Sequence, residues 1–380
     1  MSPLGVMRAT FAAEGSGPFA SATIPFWDMG RSLRESVLAE GAHAWLRRLV
    51  STYLRSYYAR PRAERMGTAE HLPEDAASEA IVRRACVRSA AMGGATGLFT
   101  TLTSIATAES DGLAGLVTLP AAAVAVCGEL LARTGVHLTL VCAIADLFEL
   151  TFDPEDPADL WALLALSFGP DSTAANPPRA GEELIHLAGV KAEEVGHQIG
   201  KWIVGESLVR NAVPFLSILS SSAMSWMVTR RLGDNVRRYA RYRRAFDDVF
   251  GEEPGLLAHL DLVIEGVWFI FTADGRLAPE ESALLASLVR RGDPALHARM
   301  VAELADDIGW VARLPRLPEP LRDPFLRLLE VAAAVDKRAT LRERTLLEHA
   351  ARALGRREDF GGLERMLHDF RETGVLSEIR

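Results

Sequence analysis

The sequence predicts an all-α protein of two helical domains, and three observations carry that prediction. Hydrophobic residues make up 49% of the chain but aromatics only 7%, and the apolar content is mostly Ala, Leu and Val, a balance that favours helices over strands. Apolar residues recur at three- and four-residue steps, the period of a helix with one buried face. Three long segments, Ser89–Ala108, Gly112–Gly128 and Asn211–Thr229, carry no charged side chain in a chain that is 24% charged.

The elements follow in order. Residues 1–30 read as a flexible tail, rich in Gly, Ser, Ala and Pro near the start and without the sustained apolar stretch of a secretory signal. Ser36–Tyr58 reads as a helix in which Val37, Leu38, Ala42, Trp45, Leu49, Tyr53 and Leu54 recur on one side, and Pro61 ends it. Pro73-Glu74-Asp75 suits a helix start, and that helix runs into the first charge-free segment. Pro120 should kink the second. Another helix is expected after Asp153–Pro157, with Leu160, Trp161, Leu163 and Leu164 buried, and Phe168–Gly181 reads as a loop. Glu182–Val209 reads as helical, and Pro214 opens or kinks the third charge-free helix.

At 380 residues two domains are the natural division. The composition shifts at Gly251–Gly255, which reads as a linker, so the expected domains are 31–250 and 251–380. The second contains an internal echo. Leu256–Thr272, then Asp274 and Glu281, then Leu284 and Leu285, recur 62 positions later as Phe325–Val335, Asp336 and Glu343, Leu346 and Leu347. The unit is helix, acidic turn, helix, occurring twice. Thr340-Leu341-Arg342-Glu343 forms a capping box; in the first copy Pro279 suits the first helical position, but Ala278 cannot cap.

These residues resemble two known families. From about Ser36 to Ala245 the chain resembles the EcsC family, named for a bacterial protein encoded beside an ABC transporter. The resemblance rests on Ala91-Met92-Gly93-Gly94-Ala95-Thr96-Gly97, on Leu119-Pro120, on Ala143-Ile144-Ala145-Asp146-Leu147-Phe148, and on Pro214 with Arg230-Arg231-Leu232-Gly233 and Tyr239 after it. Two features depart from the family. Glu149 stands where a glycine is usual, and Ser217, Ser221 and Ser225 stand where Gly and Asn are favoured. From about Leu256 to Phe370 the chain is similar to TerB-like domains of tellurite-resistance proteins, helical bundles with a duplicated Asp-Gly and later Glu; Lys337 replaces the second glycine. The resemblance implies an accessory role near transport, envelope or stress-response systems. If the TerB-like acidic cluster binds a divalent metal ion, its residues here are Asp274, Glu281, Asp336 and Glu343; otherwise these acids cap and bond their turns.

The formal charge of −8 argues against nucleic-acid binding. Cys86, Cys127 and Cys142 lack ligand or pairing spacing and read as buried hydrophobes of a cytoplasmic protein. Two basic aromatic stretches are candidates for a membrane surface: Trp45, Arg47, Arg48 and Arg55 with Tyr53, Tyr57 and Tyr58, and Arg230, Arg231, Arg237 and Arg238 with Trp226, Tyr239 and Tyr242. Each basic residue near an anionic leaflet contributes about 1 kcal/mol; the alternative is a solvated face with intrahelical pairs. Small residues at four-residue steps, Gly93, Gly97 and Thr101 after Ser89, and Ser217, Ser221 and Ser225, make grooves for close helix packing or for a ligand. A full membrane span is disfavoured by the many hydroxyls in these runs and a mean hydropathy of +0.09. Glu183-x-x-His186 and Glu194-x-x-His197 have the di-iron spacing, yet on one helix they stand about 16 Å apart. Gly196–Lys201 is one residue short of a phosphate loop. No complete catalytic motif is present. The expected function is a non-catalytic, membrane-associated accessory or adaptor protein, peripheral on the inner membrane and bound to its surface or to a membrane protein such as a transporter. A lipid or small-molecule carrier and a metal-binding sensor are the alternatives.

Overall fold

The computed structural model describes residues 50–109, 132–153, 217–273, 277–289, 291–292, 307–334 and 340–357, with single positions in 156–166 and 363–368. Among the described residues 86% are helical and none lies in a strand, as the composition predicts. The chain forms two compact units: Met1–Phe168 with Ala192–Arg237, and Gly169–Lys191 with Arg238–Arg380. Trp45, Arg47 and Arg48, the second charge-free run, the Glu-x-x-His pairs, Asp274 and Asp336 lie outside the described residues.

In the first unit α1 (50–58) stops just before Pro61, whose carbonyl accepts from the amides of Glu64 and Arg65 at the start of α2, Arg62–Met66. A 3-10 turn, Gly67–His71, leads to Pro73 and then α3, Glu74–Glu109. Glu74 and Asp75 occupy its first turn, where carboxylates offset the unsatisfied amides. Helix α4 (132–147) is buried along nearly all its length, so its apolar run is continuous rather than periodic. Helix α5, Ser217–Glu252, has 36 residues, as does α3, giving each about 54 Å.

Small residues set how α3 and α5 meet. A Cβ built on Gly94 would stand 2.7 Å from the Ser222 hydroxyl, and one on Gly233 2.6 Å from a Val82 methyl. The contact pairs run in opposite directions along the two helices, so α3 and α5 are antiparallel. The glycines allow an approach that no other side chain would permit.

In the second unit, Gly251–Gly255 is a compact turn rather than an extended linker. Helix α5 runs to Glu252, and a 3-10 turn, Pro254–His259, passes directly into α6, Leu260–Phe271. Leu256 is buried and Gly255 lies against Leu321. Helix α6 is the core of this unit: residues Leu262–Phe271 are all buried, and it packs on α7 (Pro279–Val289), α8 (Asp307–Arg313), α9 (Arg322–Ala334) and α10 (Leu341–Ala353). The fully buried Trp310 of α8 lies over Gly266 of α6, donates Nε1–H to the Leu262 carbonyl at 3.0 Å, and has the Phe269 and Phe325 rings at 5.7 and 6.4 Å.

The internal echo is structural. Leu260 and Arg322 open the first helices of the two copies, Pro279 and Leu341 the second, so both helices recur at the 62-residue shift read from the sequence. Pro254–Phe271 is also the one stretch among the described residues long and apolar enough to cross a membrane. Its burial identifies it as a core helix of its unit.

Candidate functional site

Among the described residues of the first unit, a dense polar cluster surrounds Asp146, a lone carboxylate in the apolar run of α4. Arg65 Nη1 lies 2.8 Å from Oδ1 and 2.7 Å from Oδ2, and the Tyr57 hydroxyl donates to Oδ2 at 3.1 Å. Arg62 donates to the Asp146 carbonyl at 3.0 Å. The Arg65 guanidinium also lies 5.2 and 5.0 Å from the Tyr57 and Tyr58 ring centroids, within cation–π reach. Burial pushes the Asp146 carboxyl above its ordinary range, against the opposing charge of Arg65.

The cluster extends along α1 and α4. Thr139 donates its hydroxyl to the Gly135 carbonyl at 2.6 Å and so accepts from the Tyr53 hydroxyl, also at 2.6 Å. The Phe152 amide donates to the Tyr58 hydroxyl at 3.1 Å. Cys142, one turn before Asp146, is fully buried, and burial reinforced by Asp146 holds its thiol well above the usual value. Such a thiol is a poor nucleophile. The arrangement fastens α1 and α2 to the end of α4 and carries no nucleophile–base pair. Tyr57, read from the sequence within a basic aromatic stretch, and Tyr53, which the sequence places both there and on the apolar side of its helix, are core residues at 2% exposure; Arg55 is exposed.

Helix α4 ends in a Schellman turn. The Leu150 amide bonds the Ala145 carbonyl at 2.8 Å, the Glu149 amide bonds the Asp146 carbonyl at 3.2 Å, and Glu149 takes φ 61°. That left-handed conformation favours glycine, and here a glutamate adopts it. Gly355 makes the same turn after α10 with φ 71°.

The arginine cluster of α5 is largely committed to acids within its own units. Arg230 and Arg237 both bind Glu79 of α3, the latter at 2.9 Å, and Asp234 adds contacts at 3.6 and 3.2 Å. In the second unit Arg238 Nε stands 2.7 Å from Oε1 of the buried Glu280, and Arg243 pairs with Asp247 at 3.1 Å. Arg231 is exposed. Tyr239 and Tyr242 are buried, whereas Met224, Trp226 and Met227 are 45%, 38% and 56% exposed. Of the small-residue ladders, Gly93 and Ser225 are buried. Gly97, Thr101, Ser217 and Ser221 lie on helical backbone, and their side chains are outside the described set.

In the second unit Glu281 and Glu343 cap their helices. Glu281 Oε2 accepts from the Ala278 amide at 2.7 Å and Glu343 Oε2 from the Thr340 amide at 2.6 Å, while the Thr340 hydroxyl accepts from the Glu343 amide at 3.3 Å. The capping box is as the sequence predicts. In the first copy Glu281 supplies the reverse half of the box alone, because Ala278 has no side-chain oxygen. Buried Glu265 binds Arg313 in the same unit. Among the described residues no group of three or more His, Cys, Asp or Glu could hold a metal ion.

No protein-family model matches the chain, and neither does any curated protein or solved structure. The Asp146 cluster is not evident as a unit from the sequence, where Asp146 figures only within the run Ala143–Phe148. The available signal is a single carboxylate in the otherwise uncharged run Val136–Phe148, with His137 its one other titratable group besides Cys142, and with Arg62 and Arg65 just after Pro61.

Proposed function

We propose that this chain is a non-catalytic accessory protein of EcsC-like and TerB-like ancestry that attaches peripherally to the cytoplasmic face of a membrane, alone or beside a membrane protein such as a transporter. The observation that carries the reading is the exposed arc of α5. Ala223, Met224, Trp226 and Met227 face solvent, and Arg230 and Arg231 follow one turn later. An apolar helical face flanked by cations is suited to the boundary between headgroups and acyl chains. Trp favours that boundary because its ring is apolar while its N–H stays hydrated.

The same geometry changes which residues make the attachment. Arg230, Arg237, Arg238 and Arg243 already neutralise Glu79, Asp234, Glu280 and Asp247, so the apolar side chains carry most of the binding and the cations tune it. The deciding experiment is flotation of the full chain with vesicles of phosphatidylcholine alone or mixed with phosphatidylserine, at low and high salt. Wild type floats with the mixed vesicles, and Met224→Ser/Trp226→Ser/Met227→Ser does not. A wild type left in the soluble fraction at low salt, or a triple variant that floats like wild type, overturns the attachment.

A further inference from the structure

We infer that the junction of α3, α4 and α5 in the first unit binds a small uncharged guest with a hydrogen-bonding oxygen, held by Ser89 and Ser225. Both serines are 0% exposed, and neither hydroxyl has a hydrogen-bond partner. Both positions lie between two close contacts of α3 and α5, Val82 with Gly233 and Gly94 with Ser222. One turn beyond Ser225, Thr229 is fully buried, and its Oγ1 stands 3.2 Å from Nε2 of buried His137 on α4. Three helices therefore bring hydroxyl and imidazole groups to one buried seam.

A buried hydroxyl without a partner is costly, and native proteins satisfy such groups with protein or with internal water. Two of them on facing helices make a site for one shared oxygen that both donates and accepts. The guest is uncharged because the side chains identified at the seam are hydroxyls and one imidazole. Arg88, Arg133 and Arg230, the cations nearest in sequence, each have interactions of their own, Arg230 with Glu79. Two sources supply that chemistry: an internal water, or the hydroxyl or carbonyl of a small organic molecule.

The test uses the full chain and the variants Ser89→Ala, Ser225→Ala and their double, each of which removes only an oxygen. If the two serines share a guest, each single variant lowers Tm by about 2–4 °C, and the double loses little more than one single because the first deletion already breaks the bridge. Native mass spectrometry separates the sources: an adduct on wild type that the double variant lacks means an organic guest, and no adduct with the coupled Tm loss means water. Single variants that leave Tm unchanged or raise it, or losses that simply add, overturn the inference. Wild type gives an independent reading, since a crystal structure with no density within about 3 Å of both hydroxyls overturns it as well.

Discussion

Glu281 and Glu343 make the same hydrogen bond at the same place in two successive helix pairs. Each carboxylate is the third residue of its helix and turns back to the amide just before it, Ala278 at 2.7 Å and Thr340 at 2.6 Å. Both side chains are buried, so each carboxylate is fixed by the backbone it caps. If the TerB-like turns take a divalent ion, these two glutamates can offer it only the capacity left by the cap.

Removing the caps should destabilise the second unit unequally. Glu281→Ala leaves the Ala278 amide without its acceptor and should cost about 1–3 kcal/mol, while Thr340→Ala should cost about 1 kcal/mol. Glu281→Gln keeps an acceptor oxygen and should cost less than Glu281→Ala. Urea unfolding measures all three. Repeating it with added magnesium or calcium examines the metal proposal, which requires a raised midpoint in wild type that Glu281→Gln diminishes.

Glu149→Gly should stabilise the protein. The left-handed conformation costs a non-glycine residue about 1–2 kcal/mol, and part of the gain is offset by the entropy glycine loses, leaving about 0.5–1 kcal/mol. The substitution also removes the Arg62–Glu149 ion pair, which is 4.0 Å long and exposed and so contributes little. Gly355→Ala should act in the opposite direction at the matching turn. Thermal unfolding decides, and a less stable Glu149→Gly would show that the Glu149 side chain has a role its geometry does not reveal.

Asp146 and Glu79 should respond to pH with opposite signs. Burial raises the folded-state value of Asp146, so relative to Asp146→Asn the wild type gains stability as pH falls through that value and loses it as pH rises. The hydrogen bond from Arg230 lowers the value of Glu79. Its contribution relative to Glu79→Gln is therefore present above the ordinary carboxylate range and lost as pH falls through the lowered value. Unfolding of the three proteins between neutral pH and about pH 3 should show difference curves of opposite slope.

Gly266→Ala should unsettle the core of the second unit. The new Cβ would meet the Trp310 ring at 2.7 Å and a Leu329 methyl at 2.8 Å, and Trp310 is held in place by its bond to Leu262. The expected loss is about 1–3 kcal/mol, read as a lower denaturation midpoint with altered tryptophan fluorescence.

Much of this architecture was legible because it is written locally. Pro61 and Pro73 remove amides that a helix interior needs, and Thr340 with Glu343 satisfies amides that a helix start leaves open. The duplication at 62 residues survives in the spacing of acids and leucines. The Asp146 cluster was far less legible, since Tyr57 and Arg65 lie 89 and 81 residues from their partner. Nothing in an arginine's neighbours in sequence says which distant carboxylate it will meet.

The sequence by itself determined the helical class, the ends of the helices that prolines and caps define, and the repeated helix pair, because propensity, capping and periodicity act over a few residues. Only the tertiary structure decided that Arg230 and Arg237 close on Glu79, that Tyr57 belongs to the core, and that Met224, Trp226 and Met227 face solvent. Exposure and charge pairing depend on which helix faces pack together. In α3 and α5 that choice rests on Gly94 and Gly233, whose missing side chains let the two helices approach.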